Sequence, residues 1–291
     1  MLRILPFLLT LPLAAQDLRG VIDIHVHGDP DTMPRSVDFI DAARNAKSRG
    51  LRAIVIKNHF EPTAAMAYLV RKEVPGIEVF GGIVLNRPVG GLNAAAVDRL
   101  PQVKGGYGRV VWMPTFDAEN QVRYSKENRP YVSVSKDGAL LPETLSILEI
   151  IAKRRLTLAT GHSSPAEVLL LIREAKRRGI DRIVVTHGML PPVAMTPAQM
   201  REAGRLGAKI EFVYNAMIGV NKAYDMAACA KAIREAGPEH CIVSSDLGQA
   251  GNPLHTDGLA AFLKGLAAAG FTQKELDVMT KTNPALVLGL E

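Results

Sequence analysis

The chain has 291 residues, a formal net charge of +6 and 47% hydrophobic residues. That is enough apolar material for a large core, and with no linker-like stretch to divide it the length suits one α/β barrel rather than two small domains. The basic residues fall in short runs such as Lys153-Arg154-Arg155 and Lys176-Arg177-Arg178 near predicted helix ends, where they favour the helix macrodipole, so no nucleic-acid partner is expected.

At the N-terminus, Arg3 precedes the apolar run Ile4 to Leu13, and Ala14-Ala15 stand before polar Gln16-Asp17. This is the pattern of a secretory signal peptide over 1–15, although Leu13 is an unusual choice ahead of the cut; the alternative is a buried N-terminal helix. The run is too short to span a bilayer, so the expectation is a single exported domain over 16–291, periplasmic or secreted, without stable membrane insertion. Export would bring Cys229 and Cys241 into an oxidising compartment. One falls in a helical stretch and the other opens a strand, so two free, packed thiols are expected, with pairing left open.

Strand-like runs then alternate with helical patterns eight times: Val21–His27, Leu51–Asn58, Ile77–Asn86, Arg109–Met113, Leu156–His162, Arg182–His187, Lys209–Asn215 and Cys241–Asp246. Nearly continuous Val- and Ile-rich runs indicate strands buried on both faces, and eight of them favour a closed (β/α)8 TIM barrel. Helix signals fit this register. Ser164-Pro165-Ala166-Glu167 and Thr196-Pro197-Ala198-Gln199 are capping boxes whose helices stop at Gly179 and Gly207; Ser36 is the expected cap of the first helix, and Thr272 with Glu275 opens an extra C-terminal one. One connection is long. From Phe116 to Leu141, after the fourth strand, Tyr131-Val132-Ser133-Val134-Ser135 alternate ahead of an Asp137-Gly138 turn, which predicts a β-hairpin lid over the barrel mouth.

In such a barrel, chemistry collects where strands end. The runs end in His25 and His27, Lys57 and His59, Asn86 and Arg87, His162, His187, Tyr214 and Asn215, and Ser244-Ser245-Asp246, so five of the seven histidines gather at strand ends. His25 and His27, two apart on a strand, share a face and could chelate one ion; alone, the pair reads equally as two histidines on a wet strand end. Asp23 shares their parity but lies deeper, and a hydrogen-bonding role behind the ligands is expected of it. His240 and His255 read as structural.

Together these residues resemble the amidohydrolase superfamily of metal-dependent hydrolases over essentially the whole mature chain. The resemblance is carried by Asp23 with His25-Val26-His27, by His162, His187 and Asp246, and by the closing Thr282-Asn283-Pro284-Ala285-Leu286-Val287-Leu288-Gly289-Leu290. It implies a distorted (β/α)8 barrel with one or two divalent ions, commonly zinc. It further implies that His25, His27 and Asp246 hold the more buried ion, that His162 and His187 hold a second, and that Asp246 is the general base that takes the proton of the attacking water and returns it to the leaving group. The family's usual bridging residue on strand four has no counterpart, since that strand ends Trp112-Met113-Pro114-Thr115. Lys57 is the lysine placed like a ligand: it stays a neutral amine, becomes a carbamate bridging two ions, or faces an anionic substrate group, the carbamate being the preferred reading, and an ordinary rim lysine with a single metal the alternative.

His59, Asn86, Arg87, Tyr214 and Asn215 are the expected substrate contacts, and Arg87, Arg123 or Arg129 could clamp a carboxylate. The expected function is metal-dependent hydrolysis of an amide, cyclic amide, lactone or ester of a small molecule. The alternatives are decarboxylation or deamination at the same site, or a non-catalytic exported barrel that binds a ligand or metal. The expected partner is a small-molecule substrate; homo-oligomerisation is left open.

Overall fold

A computed structural model of the chain describes residues 18–290, so the expected signal peptide over 1–15 lies outside the described residues. Eight parallel strands stand side by side in chain order: β1 (Ile22–Val26), β2 (Ala53–Ile56), β3 (Glu78–Val84), β4 (Gly108–Trp112), β5 (Thr157–Ala159), β6 (Ile183–Val185), β7 (Lys209–Val213) and β8 (Cys241–Ser244). The expected (β/α)8 barrel is the fold. Seven of the strands are shorter than their apolar runs suggested, because the polar residues that end those runs lie where the backbone has left the ladder; β4 keeps the expected length, shifted by one residue. The barrel closes beyond β8, through a parallel bridge between Val26 and Leu247. Among the described residues no helix is long and apolar enough to cross a membrane.

Alternate strand residues feed two apolar layers, which is why the runs are apolar throughout. Ile22, Ala53, Val55, Val110, Trp112, Val184 and Ile242 fill the barrel, whereas Ile54, Ile56, Val111, Leu158, Val185, Ile210 and Val243 pack against the helices. Trp112 needs space inside the barrel. Gly82 supplies it, since a Cβ there would lie 2.4 Å from the indole.

The closing motif plugs the bottom of the barrel. Val287 and Leu288, from the helix Asn283–Leu288, join the inner layer, and Thr157 Oγ1 donates to Val287 O at 2.5 Å. Asn283 Nδ2 donates to Glu239 O (3.0 Å) and Cys241 O (2.7 Å), tying the plug to the start of β8. Both cysteines are buried and free.

The capping boxes at Ser164, Thr196 and Thr272 form as expected. The first helix, Phe39–Ser48, differs: Asp38 is its cap, accepting from Asp41 N at 2.7 Å, while the Ser36 hydroxyl faces Gly248 O. The stretch from Phe116 to Leu141 also differs from a simple hairpin. It opens with a short helix, Glu119–Tyr124, and its hairpin strands are only Ser135–Lys136 and Ala139–Leu140, around a turn in which Asp137 and Gly138 both have positive φ. Val132 instead pairs with Ala118, and Ser133 Oγ donates to Glu119.

Because the Asn283 amide satisfies two carbonyls at the start of β8, Asn283→Ala is expected to cost about 1–3 kcal/mol of unfolding free energy in urea melts, with the far-ultraviolet spectrum unchanged.

Candidate metal centre at the barrel mouth

Strand parity alone would put Asp23, His25 and His27 on one face, but β1 carries a β-bulge. Asp23 pairs with Ile54 and Val26 with Ile56, so three residues of β1 are matched by two of β2. Asp23 therefore faces the helix layer, like Ile54, and the bulge turns His25 and His27 inward. This corrects the expected parity of Asp23, while the hydrogen-bonding part expected of it is present: its carboxylate accepts from Ser245 N (3.0 Å) and His25 N (3.3 Å) and lies 3.4 Å from Nδ1 of His255, so it braces the backbone behind the ligands and seats the His255 imidazole. His255, buried between Asp23 and Ala42 O, is structural, as expected.

At the centre, Asp246 Oδ1 lies 3.0 Å from His25 Nε2 and 3.1 Å from His27 Nε2. Lys57, fully buried over the Trp112 ring, points its Nζ at the same His25 nitrogen, 3.0 Å away. The other side of His25 is held by Glu211, whose Oε1 lies 3.1 Å from Nδ1. A carboxylate on Nδ1 fixes the tautomer that leaves the Nε2 lone pair free for an ion. Glu211 also accepts from His187 N (3.0 Å) and Ser244 Oγ (2.6 Å), so one buried carboxylate ties β7 to the ends of β1, β6 and β8.

His162 and His187 face each other with ring centroids 4.9 Å apart, and His187 stacks on His25 at 6.2 Å. His162 Nδ1 is 2.7 Å from Gln121 Oε1, a residue of the lid helix, so the long connection does reach the mouth. His59 stacks on His27 at 5.0 Å, bonds Thr115 and is covered by Phe116 at 4.2 Å; it is buried. Two of the site residues, His187 (φ 26°) and Asp246 (φ 52°), hold positive backbone φ, which costs a non-glycine residue energy and persists only where surroundings impose it. Here Glu211 takes the His187 N–H, and His25 O takes the Asp246 N–H at 2.9 Å.

The donor set suits a divalent cation. His25, His27 and Asp246 each offer a ligating atom, all within 4.8 Å of one another. Nδ1 of His27 and Nδ1 of His187 are buried without a hydrogen-bond partner among the described residues, as expected of imidazoles placed for something other than protein. Burial drives His27 down to about 3 and His187 to about 4, and it holds His59 and His162 well below the usual range, so all four are neutral, the form that ligates. Burial also lowers Lys57 to about 8. For Glu211 and Asp246 burial works upward, but the facing His25 and its neighbours outweigh it: Glu211 sits at about 2 and Asp246 well below the ordinary carboxylate range.

A cavity of about 610 Å³ opens onto this centre, lined by His27, Lys57, His59, His162, His187 and Asp246 and walled by Phe116, Leu190, Pro191 and Val220. Of the expected substrate contacts, His59 and Asn215 line it. Asn215 Nδ2 also donates to Asp246 Oδ2 at 3.3 Å. Three expectations are corrected. Asn86 is fully buried and its amide is consumed by His59 O, by Thr115 and by Asp117 N; Arg87 is exposed outside the cavity; and Tyr214 packs on Phe262. Arg123 and Arg129 are engaged with Glu119 and with Asp117 and Glu127. The cationic fork that does line the cavity is Arg35, with Gln121 and Gln249 as further polar groups. Glu211 had a sequence signal, a lone carboxylate inside the apolar β7 run; Arg35, in a loop, and Gln121, in the short lid helix, had none.

A model described as a family of unknown function, DUF6282, matches residues 20–211. No curated protein matches the chain. Among solved structures of like fold are the phosphotriesterase homology protein from Escherichia coli, complexed with phosphate in its active site (TM-score 0.60, 18% identity, 93% of this chain and 99% of that one) and a triple mutant of the organophosphorus hydrolase from Deinococcus radiodurans (0.61, 17%, 95% and 95%). A third is the probable dipeptidase PvdM from Pseudomonas aeruginosa (0.65, 9%, 92% and 94%). These likenesses bear out the expected (β/α)8 barrel fold.

Two outcomes follow from the centre itself. His27 and His187 have folded-state values below their ordinary 6.5, so the stability they leave intact above pH 6.5 is lost as pH falls from 6.5 to about 4 for His187 and about 3 for His27, the range in which only the unfolded chain takes up their protons. The melting temperature of metal-free protein is therefore expected to drop steeply between pH 6.5 and 4, and a flat profile there would contradict the neutral-imidazole assignment. Glu211→Gln is expected to weaken Zn²⁺ binding by roughly 10–100-fold in competition with a chromophoric chelator.

Proposed function

We propose that this chain, which belongs to the DUF6282 family of unknown function, is a metal-dependent hydrolase of the amidohydrolase type that cleaves an amide, cyclic amide, lactone or ester of a small molecule. The observation that carries the reading is Asp246: one carboxylate oxygen sits 3.0 and 3.1 Å from two inward imidazole nitrogens, at the floor of a cavity sized for a small molecule. A binding protein has no use for a carboxylate base at that point. The hydrolases of like fold reported above support the class.

His25, His27 and Asp246 would hold one ion, and His162 with His187 a second. A divalent ion so held, zinc being the preferred choice, supplies Lewis acidity toward the substrate oxygen and toward water. The chain's own work is positioning and proton transfer. Asp246, kept ionised and turned by Asn215, accepts the proton of the attacking water and returns it to the leaving group. His59 and Phe116 cover one side of the mouth and limit water entry. Lys57 is proposed as a carbamate: with its ammonium lowered to about 8 a useful fraction of free amine is present, and its nitrogen attacks CO₂, forming an N–C bond and releasing a proton.

Purified protein is expected to retain divalent metal, to lose turnover on chelation and to regain it with Zn²⁺, Mn²⁺ or Co²⁺ across an ester, lactone and amide panel. Asp246→Asn should lower kcat by roughly 10²–10⁴-fold. Two ions per chain with a ¹³C-carbamate signal that disappears in Lys57→Met support the bridge; one ion and no signal remove it. Failure of every metal to restore turnover on the whole panel would end the hydrolase reading.

A further inference from the structure

We infer that the substrate carries a carboxylate, which docks on the free edge of the Arg35 guanidinium while its scissile bond lies at Asp246; this rests on the hydrolase reading above. Arg35 lies in the loop after β1, where its backbone bridges to Gln249. It is buried, 9% exposed, and lines the same cavity as His27 and Asp246.

What makes it a docking group is how it is held. Its Nε and Nη2 both donate to one oxygen of Asp31, at 2.8 and 2.6 Å, and the other oxygen of that buried carboxylate accepts from Met33 N at 3.3 Å. A guanidinium has five N–H donors in a rigid planar fork. Two are used, so the Nη1 pair and the second Nη2 proton have no partner among the described residues, and they form the edge that takes a carboxylate through two parallel hydrogen bonds. A cation fastened only to complete a structural pair would have no reason to line a cavity with three donors unspent.

Apart from Nδ1 of His27 and of His187, which belong to the metal centre, the other polar groups of the lining are spoken for. Asn221 donates to Asn215, and Gln249 donates to Asp246 O and faces Asn252. Lys57 is turned onto His25. The remaining wall, Phe116, Leu190, Pro191 and Val220, offers only apolar contact. The cavity therefore suits a molecule with an apolar body, one hydrolysable bond and one carboxylate.

The test uses zinc-loaded full-length protein and matched pairs of probes: a γ-lactone with and without a ring carboxylate, and an N-acetyl amino acid against its methyl amide. In the wild type the carboxylated member is expected to have the higher kcat/KM by about tenfold or more, mostly through KM. That ratio should collapse in Arg35→Gln and in Arg35→Gln combined with Asp31→Asn, the double change removing the buried, unpaired Asp31 charge that could unfold the single variant. Equal or better turnover of the neutral members would overturn the inference and leave the hydrolase reading standing. If no probe is turned over, the hydrolase reading fails, and calorimetry with the carboxylated lactone decides the inference alone: saturable binding that the double variant loses upholds it, and no binding, or binding the double variant keeps, overturns it.

Discussion

The barrel is closed by the same peptide groups that carry the site. Eight strands can form a cylinder only if the last pairs with the first, and here that pairing runs through His27 N donating to Leu247 O and Asp246 N donating to His25 O. The hydrogen bonds that seal the fold thus set the distance between the two imidazoles and the carboxylate. The fit is tight: Gly248 has a φ of 136°, and a Cβ there would come 2.0 Å from His27 O. A side chain at that position would open the seam and the site together, so stability and chemistry are not separable there.

Behind the seam stands a second constraint, the charge of Glu211. Placing a carboxylate inside a barrel is costly unless each oxygen is occupied, and Glu211 meets the condition with an imidazole, a hydroxyl and a backbone N–H drawn from three other strand ends. Those partners are the groups a metal centre needs fixed. The strain in the His187 and Asp246 backbones is tolerated for the same reason: both N–H groups are held by partners that exist only once the barrel has closed.

The loops add what the strands cannot. Gln121 reaches His162 from the lid helix, and Asn120 ties His162 O to Pro192 O, so the connection after β4 is fastened to two of the mouth's walls. Phe116 closes over His59, and Arg35 is aimed by Asp31. Rigid strand ends thus position the reacting groups, while loops shape and charge the space in front of them.

Local physics made much of this readable in the chain. Eight two-sided apolar runs, capping boxes at Ser164, Thr196 and Thr272, and histidines collected at run ends each depend on residues close in sequence, and all survive folding. What required the tertiary structure was contact between distant segments and small departures from ideal period. One extra residue in β1 reversed the side of Asp23; three hydrogen-bond partners from the connections after β2 and β4 exhausted Asn86; and of the loop arginines among the described residues only Arg35, held by Asp31, lines the cavity. Periodicity and capping are short-range, so the sequence by itself determined the barrel and the company of histidines at its mouth. A bulge, a shared buried carboxylate and the aim of a loop side chain are decided by which remote groups are left to bond with, and only the closed barrel determines that.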